Sequence, residues 1–177
     1  MKKITSILSI IALTAVFSTS ALAQNAPASA TSANTTTTIV APIAISASTA
    51  LNFGSFATLS TGGTLALSPL SVRTATGGVK LTTATGSPTA AAFTVTGEGA
   101  YAYSITLPDA LTLTSTATAT GTKTMAVSSF VSSIGTGGTL SSGTQNFTVG
   151  ALLTVGSGQV VGTYLNASGF TVTVNYN

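Results

Sequence analysis

The sequence predicts an all-β fold, an antiparallel sandwich or barrel of roughly nine to eleven short strands in a single domain. Three observations carry this expectation. Thr, Ser, Ala, Gly and Val dominate while charged residues make up only 4% of the chain, so the residues that clothe helix surfaces are nearly absent and β-branched ones abound. Apolar and polar residues alternate with period two in one segment after another. Gly, Ser and Thr punctuate those segments at short intervals. Neither an internal repeat nor an internal linker divides the chain.

The opening residues stand apart from that pattern. Lys2 and Lys3, the apolar run 7–17 and the small residues 21–23 follow one another as in a secretory signal peptide over residues 1–23. The run is too short to span a bilayer, so the mature chain is expected to carry no transmembrane segment and to start at Gln24. Export places it in the periplasm in transit, then at the cell surface or outside. Residues 24–38, QNAPASATSANTTTT, are small and polar and read as a flexible leader. Residues 39–177 remain for the folded domain.

Within that domain the strands can be justified in order. In IVAPIAIS, Ile39, Ala41, Ile43 and Ile45 share a face, and Pro42 removes a backbone donor, so this is an edge strand, a strand start or a kinked strand. LNFGSF follows at 51–56. Leu65 and Leu67 alternate up to Pro69, and Leu70 and Val72 resume on the other parity, which predicts a bulge or bend near Pro69. Strands are expected over 78–83, over 91–97 with Phe93 and Val95, and over 101–108 with Tyr101, Tyr103, Ile105 and Leu107; Glu98 and Gly99 between the last two predict a tight hairpin. Segments 111–116 and 123–131 continue the series, and 145–156 places Phe147, Val149, Ala151, Leu153 and Val155 on one face. After 159–165, GFTVTVNYN closes the series with Phe170, Val172, Val174 and Tyr176 on one side.

Much chemistry is missing from this chain. It contains neither histidine nor cysteine, which removes the usual general base, the Ser-His and Cys-His pairs, and zinc or copper ligation. Stability rests on packing and strand pairing without disulfides. Glu98 and Asp109 could serve as acid and base on a glycosidic bond if they faced each other, but each is better read as a turn residue. Two acids eleven positions apart make a poor calcium site. The glycine clusters TGGT (61–64) and GTGGT (135–139) lack the Gly-Lys-Ser/Thr of a phosphate loop and are read as turns. Asn34, Asn146 and Asn166 open N-x-S/T triplets, which are frequent by chance in a Thr-rich chain. The aromatic residues alternate with aliphatics and are read as core, although a carbohydrate-stacking platform is the alternative. No cofactor is expected. Once the signal peptide leaves, Arg73, Lys80 and Lys123 stand against Glu98 and Asp109, so no basic patch exists for nucleic acid. So few charges also withhold the usual protection against sheet-edge association, which hints at life in an assembly.

An alternating segment behind a flexible leader, LNFG at 51–54, AAFTVTGEGAYAYSITLP, QNFTVGALLTVGSGQVVGTYL and the closing GTYLNASGFTVTVNYN together resemble the bacterial secreted family known as domain of unknown function 4402. More distantly, LNFG and the closing GTY and VTVNY resemble archaic chaperone–usher pilin subunits of the spore-coat-U-like type. That resemblance implies an immunoglobulin-like sandwich lacking one strand, filled by a periplasmic chaperone during passage to an outer-membrane usher and then by the N-terminal segment of another subunit, a strand addition. Ile39, Ala41, Ile43 and Ile45 would then be donor side chains, and Phe170, Val172, Val174 and Tyr176 would line the receiving groove. The chain departs from such pilins in lacking cysteine, in carrying Pro42 within the donor segment, and in the distance of Gly162 from the C-terminus. Two functions follow as expectations: a non-enzymatic structural subunit of a surface filament, or a self-contained secreted or surface sandwich that binds a glycan or protein ligand as an adhesion module.

Overall fold

A computed structural model of the chain describes residues 29–82 and 86–177. The expected signal peptide over 1–23 and the start of the leader lie outside the described residues. The chain divides into a unit ending at Thr38 and the unit Ile39–Asn177. The described part of the first unit, 29–38, is exposed and carries no strand.

The second unit is the expected all-β antiparallel sandwich, with eleven strands among the described residues. They are β1 (Ala44–Thr49), β2 (Phe56–Leu67), β3 (Arg73–Leu81), β4 (Ala91–Thr96), β5 (Ala102–Thr106), β6 (Ala110–Ser115), β7 (Thr124–Ser132), β8 (Gly137–Thr139), β9 (Thr144–Val155), β10 (Tyr164–Leu165) and β11 (Thr173–Tyr176). Eight of them form one sheet in the order β1-β4-β9-β7-β6-β10, with β2 joining β9 and carrying β3; β11-β5-β8 form a second, three-stranded sheet.

β9 organises the large sheet because it is long enough to hold two partners in succession. Thr144 to Val149 pair with β4 and Ala151 to Val155 pair with β2, while β7 pairs along β9 as well. The hand-over falls at Gly150, where any Cβ would collide with the Leu67 carbonyl and lie 2.6 Å from Ser68 C. Phe147, Val149, Ala151, Leu153 and Val155 are all buried, as their alternation predicts.

The β2–β3 ribbon bends back on itself. Straight, β3 would span about 26 Å, yet the guanidinium of Arg73 at its start donates to the Thr82 carbonyl beyond its end, 3.4 Å away. The bend sits where the β2–β3 register slips between Thr58 and Gly63. There Gly62, Gly63, Gly77 and Gly78 let the two backbones touch: a Cβ on Gly63 would strike the Thr76 carbonyl, and one on Gly78 would lie 2.7 Å from the Gly62 carbonyl. Strands that bend at bulges can serve both layers of a sandwich, and Val79 and Phe56, from the far half of the ribbon, pack on the same cluster as Leu65 and Leu67 from the near half.

Two core clusters result. In one, Phe93, Val95, Phe147 and Val149 of the large sheet meet Tyr103, Ile105 and Val174 of the small one, with Val172 just ahead of β11. In the other, Leu65, Leu67, Met125, Val127, Leu153 and Val155 lie under Phe53 and Val79.

Several local expectations are corrected. The change of parity at Pro69 marks a hairpin turn between β2 and β3: Ser68 donates to Val72 at 2.9 Å, its hydroxyl accepts from the Leu70 and Val72 amides, and Leu70 is 83% exposed. Glu98 and Gly99 do not make a hairpin, because β4 belongs to the large sheet and β5 to the small one, so the turn carries the chain between layers. TGGT lies inside β2, and GTGGT contains β8, paired with β5. β1 begins after Pro42, consistent with the missing donor there.

Candidate functional site

The LNFG segment builds one wall of an open cleft. Asn52 exchanges two backbone hydrogen bonds with Thr89 at 2.8 and 2.9 Å, and its side-chain oxygen accepts the Gly54 amide at 2.8 Å, an Asx turn. That turn drives Phe53 into the core, where it is 7% exposed. Gly54 sits at φ +70°, and a Cβ there would collide with the Gly86 carbonyl, so glycine is the residue this corner accepts. Arg73 fastens the segment by donating to the carbonyls of Phe53 at 3.2 Å and Ser55 at 2.7 Å.

The opposite wall is the stretch from Gln159 to Phe170. Tyr164 packs on the second core cluster, and its hydroxyl donates toward the carbonyls of Val160 at 2.7 Å and Thr122 at 3.1 Å. Burial pushes its pKa up. Asn166 ties its strand to β6 by donating to Thr112 at 3.0 Å and accepts the Ser168 amide at 3.0 Å. Gly169 at φ +65° then turns the chain so that Phe170 meets Phe130 with centroids 4.9 Å apart and Phe93 at 5.9 Å.

Between these walls lies a cleft of about 1110 Å³, floored by Leu111, Leu113, Met125, Val127 and Leu153. Among the described residues no charged side chain lines it. Its volume exceeds the roughly 300–1,000 Å³ of small-molecule pockets. Ala47 and Thr49 of β1, Phe56 to Thr58 of β2 and the two residues of β10 border it, and β1 and β10 are edge strands of the large sheet. Gln159 also borders it: its amide nitrogen donates to Thr124 at 2.9 Å, while its oxygen Oε1 is buried without a partner.

The residues singled out from sequence are distributed around this cleft and the adjoining sheet edge. Ile39 is 94% exposed. Ala41 is gripped through its backbone: its amide donates to Glu98 Oε2 at 3.1 Å, and its carbonyl accepts from the Tyr176 hydroxyl at 3.0 Å. Ile43 and Ile45 pack against the first core cluster of their own domain, and Ile45 pairs with Val95. Val172 and Val174 are buried, and Phe170 and Tyr176 pack beside them. β11 pairs with β5 on one side and is an edge strand on the other. Of the four groove candidates, Phe170 lines the cleft. Glu98 lies in the turn before β5 and Asp109 beyond its far end, so the strand stands between the two acids. Among the described residues no group of three or more acidic, His or Cys side chains gathers to hold a metal. Neither Arg73 as a brace of the cleft wall nor Gln159 on its border was legible, since nothing in sequence shows which carbonyls an arginine will reach.

No curated protein and no solved structure matches the chain. A family model does match, over residues 43–176, which covers β1 to β11 and both walls of the cleft. The chain therefore belongs to the family described as Domain of unknown function (DUF4402).

Proposed function

We propose that the chain is a non-enzymatic structural subunit of a bacterial surface filament, and that its sandwich is completed by a β-strand from a neighbouring subunit laid into the cleft. The observation that carries this reading is the uncharged cleft of about 1110 Å³ bordered by edge strands. An extended segment there gains main-chain hydrogen bonds from the edges and buries alternate side chains on the floor. A head-to-tail contact whose rotation does not close builds fibres. The scarcity of charge supports the same reading, because exposed sheet edges without charge are association surfaces. During export, a periplasmic chaperone would cover the same cleft before an usher passes the subunit on.

The absence of cysteine makes the test direct. A single cysteine at Thr58, carrying a photo-activated cross-linker, is expected to form an adduct with a neighbouring subunit on intact cells. The same cysteine at Thr112, away from the cleft, is expected to form none. Filaments that contain the chain but give no adduct from Thr58 would overturn the reading.

One observation favours the self-contained adhesion module instead. β1 pairs with β4 of its own domain, and Ile43 and Ile45 are already used there. That module would stay monomeric and would give no adduct from either position.

A further inference from the structure

The outer face of the large sheet carries a second depression, of about 390 Å³, inside the roughly 300–1,000 Å³ of small-molecule sites. Asn146 and Thr148 alternate along β9 with the buried Phe147 and Val149, and Thr94 alternates along β4 with the buried Phe93 and Val95. These three side chains therefore point away from the core. Thr94 and Asn146 are direct cross-strand partners. Ser48 of β1 lines the same depression, as do Leu70 and Ser133, from the segments that follow β2 and β7.

These groups are fixed in place without being used up. The Thr94 hydroxyl donates to Asn146 Oδ1 at 2.8 Å, which directs Nδ2 and its two donors away from Thr94. Among the described residues Nδ2 has no partner, and neither has the Thr148 hydroxyl. Ser133 donates its amide to the Thr148 carbonyl at 2.8 Å and accepts the Thr148 amide on its hydroxyl at 3.0 Å, so its own O–H remains to give. Leu70 is exposed on a turn that is anchored: Ser71 sits at φ +61°, a region few non-glycine residues adopt, and its hydroxyl accepts the Ala90 amide at 2.8 Å. A strained, anchored turn that holds a leucine in water is an outlier of the kind found at ligand sites.

Among the described residues no charged side chain lines the depression, so it offers no partner to a phosphate, a carboxylate, an ammonium group or a metal ion. It offers hydroxyls that both donate and accept, amide donors and one exposed aliphatic side chain. A pyranose ring presents the matching set, hydroxyls around its rim and C–H groups on a face. We infer that this depression binds a neutral saccharide: Asn146 Nδ2 and the hydroxyls of Thr148 and Ser133 bond sugar hydroxyls, and Leu70 covers the C–H face of the ring. The site lies on the side of the sheet away from the core, so it serves a filament subunit and a self-contained domain alike.

An array of neutral oligosaccharides probed with the full folded chain tests this, followed by NMR titration of the isotope-labelled chain with the best-retained glycan. At least one neutral glycan is expected to be retained, and the titration is expected to shift the Asn146 side-chain amide and the Leu70 methyl signals saturably. Asn146→Ala and Leu70→Ser, both at exposed positions, are each expected to weaken binding about fivefold or more and to leave the unfolding transition in place. Thr112→Ala, outside the depression, is expected to bind as the parent does. The inference falls if no neutral glycan is retained, if the shifts map elsewhere on the domain, or if either Asn146→Ala or Leu70→Ser binds as tightly as the parent. None of these outcomes touches the strand-acceptor reading, which stands or falls on the cross-link from Thr58.

Discussion

Tyr176 joins three parts of the domain through one hydroxyl. It accepts the Glu98 amide at 2.7 Å and donates to the Ala41 carbonyl at 3.0 Å, while its ring lies 5.6 Å from that of Tyr101. Gly97 makes room for it, since a Cβ there would collide with the hydroxyl. The Glu98 carboxylate completes the grip by accepting the Ala41 amide, so this acid sits in a turn, as its sequence context predicts, and from there also anchors the segment leading into β1. Tyr176→Phe keeps the ring and removes the hydroxyl, leaving the half-buried Glu98 amide without an acceptor. The expected cost is about 1–2 kcal/mol of unfolding free energy, read by urea denaturation, together with faster amide exchange at Ala41 and its neighbours. Unchanged stability and unchanged exchange at Ala41 would show that the hydroxyl holds nothing.

The elements follow the same logic, with one side chain setting the course of a whole ribbon. Arg73 donates to Phe53, Ser55 and Thr82 from a single guanidinium, and so holds the bent β2–β3 ribbon to the corner that walls the cleft. Lysine has the charge without the planar fork. Arg73→Lys is therefore expected to destabilise the domain by about 1–3 kcal/mol and to loosen 55–58 and 79–82 in hydrogen exchange ahead of the inner half of β2; uniform loosening would sink the idea of a local strap. The strands themselves were largely legible, because alternation reports a half-buried face: Phe93 with Val95, Tyr103 with Ile105, and the whole inner face of β9 are buried as expected. What alternation cannot report is which sheet a strand joins. β4 and β5 are adjacent in sequence and patterned alike, yet a turn at Gly97 to Tyr101 sends them to different layers. Nor does a glycine pair declare whether it turns the chain or lets two backbones cross, as Gly62 and Gly63 do inside β2.

At the scale of the whole molecule the candidate site was half legible: LNFG and the GTY to NYN stretch carry the family resemblance, but the cleft between 51–58 and 159–170 arises from folding that no local pattern encodes. The composition does bear on the domain's response to pH. Two acidic residues and no histidine leave few protons to couple folding to pH between about 6 and 9. The alkaline side differs. Tyr103 is fully buried, donates to Gln145 Oε1 at 2.9 Å, and has its pKa raised above 10.0 by burial, as Tyr164 does. A raised acid pKa means that folding favours the neutral phenol, so its stabilising contribution is complete below the unfolded value of about 10 and is lost as pH rises through the folded value. The thermal midpoint is thus expected to stay level from about pH 6 to about pH 9 and to fall above about pH 10, in step with phenolate absorbance. Tyr103→Phe leaves Gln145 short of a donor and should lower the midpoint at neutral pH, while making the alkaline fall shallower. An alkaline limb as steep in Tyr103→Phe as in the parent would place the sensitivity elsewhere, with Tyr164 the next residue to substitute.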